Sequence, residues 1–341
     1  MPTTVTAPAV PIAEGIELSA VGYGAMSLAG AYGPIEEADA QQLLDGLLER
    51  GVTHIDTANV YGAGLSEQIL GRFLARTGLR DRIAIASKVG IVQGGGIGKR
   101  GVRGDREHIR EQIEGSLTRL GTDALDLYYL HRPDPNVPVE ESVAALAELV
   151  AEGKIRSIGL SEVTGEELRR AHAVHPIAAV QSEWSLVSRD VERFVIPAAV
   201  ELGVAFVAYS PVSRGLLTDR FDAAVSALGG SRQNFPRFDE ANLPANLAVA
   251  ERLRAIAAGV GAPLATVAIA WLERKAAEAG LGLVSIPGTR SLANLDESIA
   301  AASLTLDASQ AAELEAAAAQ ISGPRTFDPT WVSGGREGLI G

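Results

Sequence analysis

The chain has 341 residues, no cysteine and a formal net charge of −12 at pH 7. Without cysteine, disulfides, iron–sulfur clusters and thiolate zinc sites are excluded. The acidic balance disfavours nucleic acid and anionic membranes as partners, while leaving room for a small anionic ligand in a local pocket.

A hydrophobic content of 47% over this length fits either two ordinary domains or one large α/β domain. The opening stretch "MPTTVTAPAVPIAEG" shows no basic segment followed by an apolar one. No uncharged apolar run approaches the roughly 20 residues a membrane helix needs. The expectation is a cytoplasmic protein.

Apolar, β-branched runs recur along the chain. They are "SAVGYGA" (19–25), "VTHIDT" (52–57), "RIAIASK" (82–88), "ALDLYYLH" (124–131), "IRSIGLS" (155–161), "IAAVQS" (177–182), "VAFVAYS" (204–210) and "GLVSIPG" (282–288). Between them lie helical patterns. "EEADAQQLLDGLLERG" (36–51) is apolar at Leu43, Leu44, Leu47 and Leu48 and stops at Gly51. "VEESVAALAELVAEGK" (139–154) has an acidic first turn and Gly153 as its C-terminal stop. "APLATVAIAWLERK" (262–275) places Pro263 at a helix start.

This alternation predicts a parallel sheet with helices outside, and eight units match a (β/α)8 TIM barrel. A doubly wound open sheet is the alternative. Asp56, Lys88, His131, Gln181 and Ser210 each close a different run. A barrel brings those ends to one mouth, whereas an open sheet spreads them along an edge. The barrel is therefore the expectation, as one domain over 1–341 with its active site at the C-terminal face. The termini 1–14 and 323–341, the glycine-rich stretch 90–105 and the stretch 227–238 are expected to be irregular.

Two phosphate-binding patterns fail on inspection. "GYGAMS" (22–27) lacks the last glycine of a dinucleotide fingerprint, and "GGGIGK" (94–99) is one residue short of a P-loop. His54 shares the phase of Asp56 and reads as a core histidine. His172 and His175 read as part of a surface helix. No metal site is expected.

The group Asp56, Tyr61, Lys88 and His131 is more informative. Each alone has a structural explanation, but four at one barrel end call for a chemical one. A tyrosine of ordinary pKa near 10 donates a proton more readily beside a cation. Lys88 supplies the cation, and Asp56 keeps it charged. His131 orients a carbonyl. A proton donor with no nucleophile or metal beside it implies that a cofactor brings the other reactant, and hydride transfer from a nicotinamide fits.

"GVTHIDTANVYGAGLSE" (51–67), "IRSIGLSEVT" (155–164), "AVQSEWSLVSRDVE" (179–192), "VAYSPVSRGLLTDRF" (207–221) and "IPGTRSLANLDESI" (286–299) resemble the signature segments of the aldo-keto reductases. The branch most similar in look holds pyridoxal reductase-like and plant alkaloid reductase-like members. The resemblance implies a barrel, NADPH with NADH as the alternative, and a catalytic tetrad of Asp56, Tyr61, Lys88 and His131.

It also implies a cofactor surface. Ala25, Met26 and Asp56 lie on it, Ser161 and Gln181 bind the carboxamide, and Trp184 stacks on the nicotinamide. Ser210, Pro211, Val212, Arg214, Gly215 and Leu216 wrap the pyrophosphate, with Arg220 beyond. Gly288, Thr289 and Arg290 meet the adenosine phosphate, with Asn294, Glu297 and Ser298 near the adenine. Asn294 and Ser298 stand where many relatives have Arg and Asn, so preference for NADPH rests largely on Arg290. Glu162 replaces a common Asn and removes a carboxamide contact. Substrate-wall candidates are Met26, Tyr61, Val92, His131 and Trp184, with Ala25 and Trp331 of the tail as further wall candidates.

Three functions follow as expectations. The first is reduction of an aldehyde or ketone. The second is the same site run as an alcohol dehydrogenase on a pyridoxine-like or secondary alcohol. The third is a cofactor-binding regulatory subunit.

Overall fold

The computed structural model describes residues 9–93, 100–224 and 230–338. Eight barrel strands run parallel and in sequence order. They are β1 (Tyr23–Gly24), β2 (His54–Asp56), β3 (Ala84–Val89), β4 (Leu127–Leu130), β5 (Ile158–Ser161), β6 (Ile177–Glu183), β7 (Ala205–Tyr209) and β8 (Leu283–Ile286). Closure is made where Val21 bridges Ser285. There the Gly22 N–H donates to Ser285 O and the Ser285 N–H to Ala20 O, both at 2.8 Å. The (β/α)8 barrel expected from strand–helix alternation is the fold.

The barrel is filled. Ala86, Leu127, Tyr129, Ala179, Val207, Val284 and Ile286 form its inner core. Space for Tyr129 comes from Gly159 on β5, where a Cβ would lie 2.4 Å from the tyrosine ring. An alanine there overpacks the core, at a cost of about 1–3 kcal/mol.

Helices cover the outside because each carries one apolar stripe. Glu37–Glu49 buries Leu43, Leu44 and Leu47. Val139–Ala151 buries Val143, Leu146 and Leu149, and Gly153 just past its end takes φ +74°. Leu264–Ala279 starts behind Pro263, as expected.

Three segments expected to be irregular are ordered. Ala9–Ala13 pairs antiparallel with Ile16–Ser19, and Ile16 and Leu18 of this hairpin join the inner core from below. Of the run read as 19–25, Ser19 ends the hairpin, Val21 makes an isolated bridge to β8, and Tyr23–Gly24 form β1. Ile91–Gln93 pairs with Arg100–Val102, so the stretch read as a loop is mostly a hairpin; residues 94–99, with the "GGGIGK" pattern, lie outside the described residues. The 227–238 stretch is irregular apart from short turns at Gly230–Asn234 and Pro236–Phe238, with residues 227–229 outside the described residues.

The tail is the third. Pro329–Trp331 forms a turn and Ser333–Arg336 a short helix. Glycine-rich composition hid this order, which comes from long-range contacts: Arg325 is only 6% exposed and bonds to Glu162 beyond the end of β5. The tail therefore lies across the C-terminal ends of the strands.

Candidate active site

Asp56 is the last residue of β2 and points inward with His54, while Lys88 points inward from β3. Lys88 is fully buried and Asp56 nearly so. Lys88 Nζ donates to Asp56 Oδ1, to Thr57 O at 2.9 Å and to the Tyr61 hydroxyl at 3.4 Å. The second Asp56 oxygen accepts from Gln181 Nε2 at 2.8 Å. Tyr61 is half-buried on the turn after β2, where its N–H donates to Ala58 O at 3.1 Å. His131 follows β4 and meets the Tyr61 ring edge-on, centroids 6.0 Å apart. The structure brings all four sequence candidates to one point.

Burial alone would push the Lys88 ammonium down, but the Asp56 carboxylate, helped by Tyr61, outweighs it and holds Lys88 above the ordinary lysine value. Tyr61 departs from the expected lowering. Burial raises its phenol above 10.0, Lys88 opposes this, and Asp56 adds to the rise. The ammonium is shared with a carboxylate that itself disfavours a phenolate. Tyr61 therefore holds its proton at neutral pH.

His54 is a core histidine, fully buried with Nδ1 3.2 Å from Ala84 O; burial keeps it below the ordinary value. His172 Nδ1 accepts from the Ile177 N–H at 3.2 Å, while His175 closes the helix Gly165–Val174.

Trp184 is not at the mouth. Inward positions on β6 include Gln181 and Glu183, so alternation sends Trp184 outward. It is 1% exposed, donates Nε1–H to Glu192 Oε1 at 2.9 Å, and packs edge-on against Phe206 and Trp271 of the helical layer. Besides Tyr61, the aromatic ring that strand alternation turns toward the mouth is Tyr209, last residue of β7 and in phase with Val207. Its hydroxyl donates to Glu162 Oε1 at 2.8 Å. That alternation was available in "VAFVAYS".

Glu162, in the left-handed region at φ +54°, turns its carboxylate toward the tail. Arg325 grips both its oxygens, at 2.8 and 2.9 Å, and the Ser333 N–H donates to Oε2 at 2.9 Å. Burial opposes ionisation, but Arg325, then Arg132, hold the Glu162 carboxyl far below the usual range. Arg325 also pairs with Asp190 at 2.9 Å.

Other expected cofactor residues divide into open and closed. Met26 is half-buried on the turn Ala25–Ala29, whereas Ala25 is buried beneath it. Ser161 Oγ accepts from Arg132 at 3.2 Å. The 210–217 segment carries left-handed φ values at Ser210, Ser213, Arg214 and Gly215, with Pro211 and Leu216 buried and Val212 half-buried. Three non-glycine residues in that region within five positions mark a strained turn of the kind found at binding sites.

Arg214 is folded inward, paired with Glu183 at 2.8 Å, with its guanidinium carbon 3.6 Å from the centroid of the Phe235 ring. Arg220 pairs with Glu297 at 2.7 Å and bonds Asn294 Oδ1 at 2.9 Å. Ser298 is buried and bonds Asn294 O. Gly288 and Arg290 are exposed, and Thr289 O accepts from Tyr23 and Ser27. Val92 sits on the added hairpin after β3, half-buried.

Arg232 was not singled out in the sequence. Its Nε donates to Arg214 O at 2.9 Å, and burial, reinforced by Arg290, lowers its affinity for a proton while Tyr32 opposes. Among the described residues neither Arg232 nor Arg290 pairs with a carboxylate. Two guanidiniums left uncompensated beside a strained turn suit a phosphate-bearing ligand.

A (β/α)8 barrel with a proton donor, a buried cation and an imidazole at its mouth, flanked by an anion-suited surface, has the make-up of a nucleotide-dependent oxidoreductase. The sequence model of the aldo/keto reductase family matches residues 20–319, and the chain belongs to that family. It is 40% identical over 294 residues to "Probable aldo-keto reductase 1" of Glycine max, covering 86% of this chain and 83% of that protein.

Among solved structures it is similar to the glycerol dehydrogenase AKR11B4 of Gluconobacter oxydans, with TM-score 0.78 and 26% identity over 96% of this chain and 99% of that one. It is also similar to the aldo-keto reductase AKR11C1 of Bacillus halodurans in its holo form, with TM-score 0.72 and 25% identity over 92% and 95%. The thermostable aldo-keto reductase Tm1743 matches with TM-score 0.70 and 28% identity over 90% and 98%. The chain is thus an NADP(H)-dependent oxidoreductase acting on carbonyl and alcohol groups, in a family that generally binds NADPH.

Proposed function

We propose that this enzyme reduces an aldehyde or ketone to the alcohol with NADPH, using Tyr61 as general acid. The observation that carries this reading is the Lys88 ammonium, tied to Asp56 and 3.4 Å from the Tyr61 hydroxyl. NADPH, when bound, supplies the hydride. Tyr61 gives its proton to the substrate oxygen. The phenolate left behind faces Lys88, which stabilises it until a proton returns from solvent. His131, edge-on to Tyr61, orients the carbonyl oxygen toward the hydroxyl. Asp56 and Thr57 O fix Lys88 in place.

Residues suited to hold the cofactor are Ser161 and Gln181 for the carboxamide, Tyr209 for the ring face, and the 210–217 turn for the diphosphate. Arg290 and Arg232 suit the adenosine phosphate. That last pair supports NADPH over NADH. Fluorescence titration should show tighter NADPH binding, weakened on Arg290→Ala; equal affinity for both cofactors sinks the preference.

The mechanism is tested by following NADPH oxidation over a broad aldehyde and ketone panel. Tyr61→Phe is expected to lower kcat by about 10²–10⁴-fold while NADPH still binds. Full activity in Tyr61→Phe rules out the assigned acid. Likeness to a glycerol dehydrogenase favours testing the reverse direction as well. In alcohol oxidation Tyr61 acts as the base, and the same variant should fail equally.

A further inference from the structure

Arg132 follows His131 directly and has no part in the chemistry above. Its side chain is 8% exposed. One nitrogen donates to His131 O at 2.7 Å and to Ser161 Oγ at 3.2 Å. Nε is buried with no hydrogen-bond partner. Among the described residues no carboxylate pairs with this guanidinium.

The nearby carboxylates are engaged elsewhere. Glu162 is gripped by Arg325, Tyr209 and Ser333, Glu183 by Arg214, and Asp190 by Arg325. Glu162 feels the charge of Arg132, but its oxygens are already occupied. The guanidinium carbon lies 5.4 Å from the centroid of the Trp331 ring, so the tail covers it. Its charge also reaches the Tyr61 and Tyr209 phenols.

A buried cation without a counter-ion costs stability. Beside a general acid, that cost is recovered when a ligand brings the missing negative charge. A guanidinium is also the side chain whose fork matches a carboxylate in two parallel hydrogen bonds. We infer that Arg132 is a specificity residue that recognises a carboxylate on the carbonyl substrate, so that the preferred substrates are oxo acids and carboxylated aldehydes. This rests on the carbonyl-reductase reading and narrows it.

The test uses matched pairs: succinic semialdehyde against butanal, and para-carboxybenzaldehyde against benzaldehyde. Each is assayed with wild type, Arg132→Met and Arg132→Lys, after circular dichroism and NADPH titration show the variants folded. Wild type should favour the carboxylated member by about tenfold or more in kcat/KM, chiefly through KM. Arg132→Met should erase the ratio, and Arg132→Lys should keep part of it. Equal kcat/KM within each pair in wild type overturns the inference. So does an Arg132→Met variant that loses both members alike, which is the mark of a structural role through Ser161.

A second arm needs no turnover. Succinate should raise the melting temperature of the wild-type NADPH complex and leave that of Arg132→Met unmoved. No shift in either protein overturns the inference. Absence of turnover on any carbonyl, with the succinate shift present, overturns the reductase reading instead.

Discussion

The Asp56–Lys88 and Glu162–Arg325 ion pairs, both buried toward the C-terminal ends of the strands, differ in what they leave open. Asp56 and Lys88 sit inside the barrel, where Lys88 keeps one donor aimed at a half-buried tyrosine. Glu162 meets Arg325 of the tail, and both carboxylate oxygens of Glu162 are taken, by Arg325, Tyr209 and Ser333. Both pairs are dry, so neither is strong evidence of net stability against an apolar replacement. The difference is direction. The first pair ends on a group that reaches substrate; the second closes on itself and holds the tail.

Lys88→Met is the harshest way to probe this contrast. It leaves Asp56 buried with Gln181 as its one remaining side-chain partner and removes the charge behind Tyr61. A loss of about 3–5 kcal/mol in folding stability is expected, with NADPH oxidation abolished in whatever protein folds. Chemical denaturation and turnover measure the two parts. Retained activity breaks the comparison.

Arg325→Met should cost a similar amount, about 3–5 kcal/mol, because buried Glu162 then loses the guanidinium bonded to both its oxygens. Here the chemistry should persist: kcat on a neutral aldehyde should fall far less than in Lys88→Met. Adding Glu162→Gln should restore much of the stability, giving a coupling energy that a double-mutant cycle reads directly. Additive effects of the two substitutions refute the pairing.

pH separates the pairs further. Lys88 is raised in the fold, so its stabilisation is complete below the ordinary lysine value of 10.5 and is lost as pH climbs through the higher folded value. Glu162 is depressed, so its stabilisation is complete above the ordinary value of 4.5 and is lost as pH falls through the lower folded one. Acid should therefore loosen the tail first, and strong alkali the catalytic pair. Limited proteolysis near residues 325–336 across acid pH reads the first. If cleavage sites in the barrel open before those in the tail, the assignment is wrong.

The smallest effect is expected at Trp184. Trp184→Phe should cost about 1–3 kcal/mol through lost packing, yet leave KM for NADPH within about twofold. A large rise in that KM returns Trp184 to the cofactor surface.

Much of the site was legible because its residues close β-runs. Asp56, Lys88 and His131 each end an apolar stretch, and a parallel barrel leaves such ends only one place to meet. Trp184 was misplaced although parity was readable: it stands three positions after inward Gln181, an odd step that reverses the face. Tyr209 was overlooked by the same neglect of parity. The Glu162–Arg325 pair has no local signal at all, since 163 residues separate the partners. The ordering of the tail follows from that contact, so its glycines read as irregular. The hairpin Ala9–Ala13 with Ile16–Ser19 was likewise hidden, because Pro11 at an edge position breaks the strand pattern without breaking the strand.

The long span between Glu162 and Arg325 has a consequence for how the protein is made. Glu162 leaves the ribosome 163 residues ahead of its counter-ion. In a barrel closed before Arg325 emerges, Glu162 would lack the guanidinium that grips both its oxygens. The pairing that orders the tail can therefore form only after β8 has been made and the barrel has all its strands.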